Sequence, residues 1–133
     1  MKQLQVVSAV IEKSGRFLLS KRSAWKSSAP GYWCPVSGKI EIGESAEEAA
    51  VREVYEEVGV TAKPLRKLCE MDTHDKKGRI HWWLMDLVSG EPTLKNDEHS
   101  ELQWLYLEEI EKLDKVFPED IEAYRKLTLN PLI

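Results

Sequence analysis

The chain has 133 residues, 42% of them hydrophobic and 32% charged, with 19 Lys plus Arg against 23 Asp plus Glu and a formal net charge of -4. That apolar content excludes a disordered chain, and the length predicts one globular domain spanning 1–133. The longest apolar stretches, Val6-Val7 and Ala9 to Ile11, fall far below the ~20 residues that cross a bilayer, and Lys2 before a short stretch broken by Glu12 makes no secretory leader, so a cytoplasmic protein without membrane contact is expected.

The pattern of elements begins with a hairpin. Leu4 to Ile11 is rich in Val and Ile, Glu12 to Gly15 reads as a turn, and Arg16 to Ser20 resumes as a second strand. Residues 22–32 carry Ser23, Ser27, Ser28, Pro30 and Gly31 and read as a loop, followed by a short strand from Trp33 to Val36. A helix is predicted from Ala46 to Val58. Ser45 can cap it with Glu48 completing a capping box, and Gly59 suits the left-handed stop. Leu65 to Met71 and Arg79 to Val88 flank the turn Asp75 to Gly78 as a second hairpin. A strand at Leu102 to Tyr106 and helices at Leu107 to Leu113 and Pro118 to Leu127 complete the pattern. The fold class is α/β, a mixed sheet with helices packed on it.

Charge is unevenly distributed. Between Gly38 and Val60 stand seven acids and two bases, a local charge of 2 - 7 = -5, so the rest of the chain sums to +1. Duplex nucleic acid as a partner is disfavoured, because it calls for a basic stripe. Cys34 and Cys69 are too few for a disulfide framework and are expected as buried thiols. With His74, His81 and His99 they give no zinc spacing.

On the predicted helix, Ala50, Val54 and Val58 form an apolar stripe with Val51 beside them. Glu53, Glu56 and Glu57 converge on another face, where like charges three and four residues apart repel. Clustered hard oxygen ligands suit Mg2+ or Mn2+; a solvated acidic face is the plainer alternative.

The segment GKIEIGESAEEAAVREVYEEVGV decides between them. Gly38, Glu44, Arg52-Glu53-Val54, Glu56-Glu57 and Gly59-Val60 stand at spacings that resemble the signature of the Nudix hydrolases at every fixed position. The length and the strand-loop-helix order are similar to the small MutT-type members. The resemblance implies a Nudix-like α/β/α sandwich with a mixed β-sheet and metal-dependent hydrolysis of a nucleoside diphosphate linked to another moiety. Glu53, Glu56 and Glu57 match the family's metal-binding and catalytic carboxylates, and Arg52 its Arg, expected to pair with a carboxylate of the same loop-helix unit. Glu53 is the first choice for the base that takes the proton of the attacking water. An additional metal-binding or basic Glu is expected at Glu98 or Glu101, with Glu98 favoured. Many members have Gly-Gly where this chain has Ser37-Gly38, yet Ser37 still supplies a backbone carbonyl.

Substrate markers point by elimination. Asp75 and Lys76 stand where ADP-sugar members tend to have Pro, and no Tyr lies between Tyr55 and Tyr106 to match the dinucleoside polyphosphate members. A nucleoside triphosphate, converted to monophosphate and pyrophosphate, or another nucleoside diphosphate derivative is the expected substrate. RNA 5'-end hydrolysis or a silent nucleotide-binding module are the alternatives. Aromatic faces stack on bases, so Trp25, Tyr32, Trp33 and Trp83 are expected readers, and Arg22 and Lys39 candidate phosphate contacts. Trp82 and Trp83 face opposite ways, and one of them is expected in the core. The partner is thus a small nucleotide, bound by a monomer or homodimer.

Overall fold

A computed structural model describes residues 3–129. Lys2 lies outside them, as do residues 130–133 at the other end. The elements run β1 (Leu4–Lys13), β2 (Arg16–Arg22), β3 (Trp33–Cys34), β4 (Val36–Lys39), α1 (Ala46–Val58), β5 (Thr61–Asp72), β6 (Gly78–Ser89), β7 (His99–Leu105), α2 (Leu107–Glu111) and α3 (Pro118–Leu129). Ser14 and Gly15 both adopt positive φ, 53° and 79°, between the paired Lys13 and Arg16. That is the two-residue turn whose twist matches a hairpin.

β1 organises the sheet. It runs parallel to β6 from Leu4↔Gly78 to Ile11↔Met85, while its other edge is shared between two antiparallel partners. β4 takes Val6 to Ala9, and β2 takes Glu12 and Lys13. β2 in turn pairs β3 and β7, and β5 closes the other edge against β6. The sheet is therefore mixed, as expected. The single strand expected at 33–36 is instead two. The chain leaves β2 after Cys34 and joins β1 at Val36. Pro35, which has no N–H to give a ladder, stands at the crossing.

Strand alternation sends Val7, Ala9 and Ile11 to one face, where Ala49, Ala50, Val54 and Val58 of α1 cover them. Val10 goes to the other face and packs with Trp82, Ile110, Ala123, Tyr124 and Leu127 beneath α2 and α3. This gives the three layers of an α/β/α sandwich. α1 forms where the caps direct: Glu48 N donates to Ser45 Oγ at 3.1 Å, Ser45 N donates to Glu48 Oε1 at 2.9 Å, and Gly59 at φ 72° ends the helix. β5 starts at Thr61, four residues before the expected Leu65, because an edge strand tolerates Pro64. β7 starts at His99 rather than Leu102, α2 stops at Glu111, and α3 runs on to Leu129.

Candidate active site

The loop between β4 and α1 brings its backbone against the acidic face of the helix. Arg52 ties the two together. Its Nε and Nη2 donate to Glu44 at 2.7 and 2.9 Å, Nη1 to Glu53 at 2.8 Å and Glu56 at 3.1 Å, and Nη2 also to the Lys39 carbonyl at 2.9 Å. These hydrogen bonds hold the Glu44 carboxyl down to about 2 and raise the Arg52 guanidinium above its usual range, Glu44 contributing most. A fork of this kind fixes direction as well as charge. It aims Glu53 at Gly38, where a Cβ would run into the Glu53 carboxylate. Glycine at 38 is thus a matter of space.

Glu53 and Glu57 are withdrawn from solvent while Glu56 stays at the rim. Burial raises the Glu53 carboxyl. Burial, then the charges of Glu53 and Glu98, push Glu57 up to about 8, against a hydrogen bond from the Ser37 backbone. Glu57 Oε2 is buried with no hydrogen-bond partner. A buried carboxylate oxygen left in that state is costly and suits an oxygen-seeking cation. His99 Nδ1 lies 4.0 Å from the other oxygen of Glu57, and burial lowers this imidazole below its usual range. Among the described residues no three Asp, Glu, His or Cys side chains already enclose a cation.

A cleft of about 770 Å³ opens here, lined by Ser37, Gly38, Lys39, Glu53, Glu57 and Glu98. The volume suits a nucleotide-sized ligand. Arg22, Lys26 and His99 line it too. Glu98 faces the cleft, with Lys26 Nζ 2.9 Å from its Oε1, and that hydrogen bond lowers its carboxyl. Glu101 does not line the cleft. It pairs at 3.8 Å with Lys21, its register partner on β2.

Aromatic walls meet the same cleft, formed by residues that are mostly far apart in sequence. Tyr32 stacks on Phe117 with ring centroids 4.6 Å apart, and His74, from the turn between β5 and β6, lies 4.8 Å from Phe117 and 3.4 Å from Glu119. Asp120 in the first turn of α3 is 7% exposed and lines the cleft, and burial, aided by Glu119, raises it to about 7. Cys34 lies between the two groups. Burial pushes its thiol up to about 12, with contributions from both Asp120 and Glu57.

The tryptophans expected as readers lie elsewhere. Trp25 is 61% exposed and donates from Nε1 to the Asp97 carbonyl at 3.1 Å. Trp33 packs against the core under α2 and α3, and Trp83 against the core under α1. Trp82 is fully buried, edge-on to Tyr124. Of the expected aromatic readers only Tyr32 reaches the cleft, whereas Arg22 and Lys39 both do.

A family model described as the NUDIX domain matches residues 1–127. The chain is 38% identical over 112 residues to a CTP pyrophosphohydrolase of Escherichia coli, covering 82% of this chain and 80% of the relative. It is 34% identical over 110 residues to an 8-oxo-dGTP diphosphatase of the same organism, covering 80% and 83%. The crystal structure of a MutT protein from Methanosarcina mazei superposes with a TM-score of 0.81 at 26% identity, over 96% of this chain and 94% of that one. The chain belongs to the Nudix hydrolases, enzymes that cleave phosphoric anhydrides as pyrophosphohydrolases.

Proposed function

We propose that this single Nudix domain hydrolyses a nucleoside triphosphate to the monophosphate and pyrophosphate with Mg2+, and that Mn2+ can replace it. The observation that carries the reading is one cleft holding both the buried, half-unpartnered Glu57 carboxylate and the Tyr32-Phe117 stack. The carboxylates suit the metal-bound polyphosphate and the aromatic walls suit the base. The activities named for the two Escherichia coli relatives support a triphosphate substrate.

Glu57, Glu53 and Glu98 would hold the metal, with Glu56 at the rim. When bound, such a cation would neutralise charge on a diphosphate and supply Lewis-acid activation for hydrolytic attack. Glu53 is the better base of the two candidates. Glu53 is oriented by Arg52 Nη1 at 2.8 Å and lines the cleft against Gly38, whereas Glu98 is paired with Lys26 at 2.9 Å. Arg52 holds Glu53 and the loop in place. Arg22 and Lys39 meet the phosphates. Asp120, buried at the aromatic end of the cleft, would present its carboxyl to the polar edge of the base.

A panel of nucleoside triphosphates, nucleotide sugars and 5'-triphosphorylated RNA with Mg2+ tests the assignment. The expected result is monophosphate and pyrophosphate in equal amounts from at least one nucleoside triphosphate. Turnover of RNA ends alone would contradict it.

A further inference from the structure

Lys26 lies in the long loop after β2, and the loop is pinned over the carboxylates by the segment before β7. Ser23 N donates to the Glu98 carbonyl at 2.9 Å, Ser23 Oγ to the Asp97 carbonyl at 2.5 Å, and Trp25 Nε1 to the same carbonyl at 3.1 Å. Those contacts set the Lys26 ammonium on Glu98 Oε1 at 2.9 Å, 5.5 Å from the centre of the Trp25 ring. The lysine side chain is 21% exposed and that of Glu98 47%. Glu98 is close enough to Glu57 for its charge to raise the Glu57 carboxyl.

A divalent cation and an ammonium on the same carboxylate repel, so each weakens the other's hold, and this coupling is reciprocal. Arg22 is anchored by its own hydrogen bond to the Ser28 carbonyl. Lys26 differs, because its flexible stem and three donors let its ammonium leave one oxygen for another.

We propose that Lys26 competes with the metal for Glu98 and passes its ammonium to the substrate polyphosphate when metal and nucleotide load together. The inference rests on the proposed role of Glu98 as a ligand. Without nucleotide the lysine opposes metal binding at Glu98. With nucleotide present, phosphate oxygens in the same cleft receive the ammonium and the opposition is lifted. The loop tie thus favours the enzyme carrying both metal and substrate over the enzyme carrying metal alone.

The test is Mn2+ binding to the folded protein without nucleotide, followed by electron paramagnetic resonance, beside steady-state kinetics on a nucleoside triphosphate. Lys26→Met keeps most of the stem and should bind Mn2+ about fivefold more tightly, while KM for the nucleotide rises about tenfold. Lys26→Arg keeps the ion pair and should bind Mn2+ nearly as the parent does. In a Glu98→Gln background, Lys26→Met should no longer change Mn2+ affinity. Unchanged or weaker Mn2+ binding in Lys26→Met overturns the competition, as does Glu98→Gln binding Mn2+ like the parent. An unchanged KM overturns the transfer to phosphate. Tighter Mn2+ binding in a protein that turned over no nucleoside triphosphate would support the competition while contradicting the proposed activity.

Discussion

At the scale of single residues, chemistry is concentrated in side chains that are buried without full compensation. Glu57 is the clearest, with one oxygen unpartnered and its carboxyl raised to about 8. Glu57→Gln should abolish Mg2+-dependent turnover while thermal unfolding stays within a few degrees of the parent. Unchanged kinetics in that folded variant would remove Glu57 from the ligand set. Asp120 gives the pH signature. Its carboxyl goes from an ordinary 3.8 to about 7 in the fold. The stability that burial of the neutral acid allows is therefore present at acid pH and lost as pH rises from about 4 to 7, at most about 1.4 kcal/mol per unit. Denaturant unfolding at pH 4.5 and 7.5 should show Asp120→Asn gaining stability relative to the parent at the higher pH. A constant difference would contradict burial of that acid. The same variant should change the ratio of specificity constants between two nucleotides by tenfold or more, since a buried hydrogen-bonding group discriminates strongly.

The residue scale also marks the limit of the sequence. Arg52, Glu53, Glu56 and Glu57 were readable because helical spacing places them on neighbouring turns whatever the rest of the chain does. Trp25, Trp33 and Trp83 do not line this cleft, since aromatic character says nothing about which cavity a ring faces. Trp33 and Trp83 are half-buried and pack against the two core clusters, and Trp25 lies on the loop surface. Phe117, His74 and Asp120 carried no signal, since only the fold brings the β5-β6 turn, the start of α3 and Tyr32 together. Glu98 was favoured over Glu101 because Glu101 adjoins a strand, and the pairing of β7 with β2 sets Glu101 against Lys21.

At the scale of elements, the loop and α1 act as one rigid clamp. The capping box fixes where the helix starts, and the Arg52 fork fixes how the loop meets it. Gly38→Ala should lower kcat by about 10²-fold, because the new Cβ displaces the Glu53 carboxylate and misplaced catalytic groups cost on that scale. Full activity in the folded variant would show that Glu53 need not sit where it does. Ser45→Ala should cost about 1 kcal/mol of stability, read by denaturant unfolding, with far less effect on kcat. The capping box and the Gly59 stop were legible because capping is local chemistry. The start of β5 was not, because whether a strand accepts Pro64 depends on its being at an edge.

At the scale of the whole molecule, the sheet supplies position and the charge distribution supplies affinity. β1 gives half of one edge to β4 and the end of it to β2, and the chain crosses between them at Pro35, beside the cleft. A net charge of -4 with its acids gathered in one segment favours a cation there. Mg2+ should therefore raise the unfolding temperature of the parent, and a chelator should reverse the shift. Glu57→Gln should show a smaller shift. An equal shift in both proteins would place the stabilising cation elsewhere.

The measurement closest to the central claim is phosphorus-31 NMR of a nucleoside triphosphate incubated with the protein and Mg2+. The expected spectra show monophosphate and pyrophosphate growing together, with no growth in chelator or with Glu57→Gln. Release of orthophosphate and a nucleoside diphosphate, or undiminished turnover by Glu57→Gln, would contradict it.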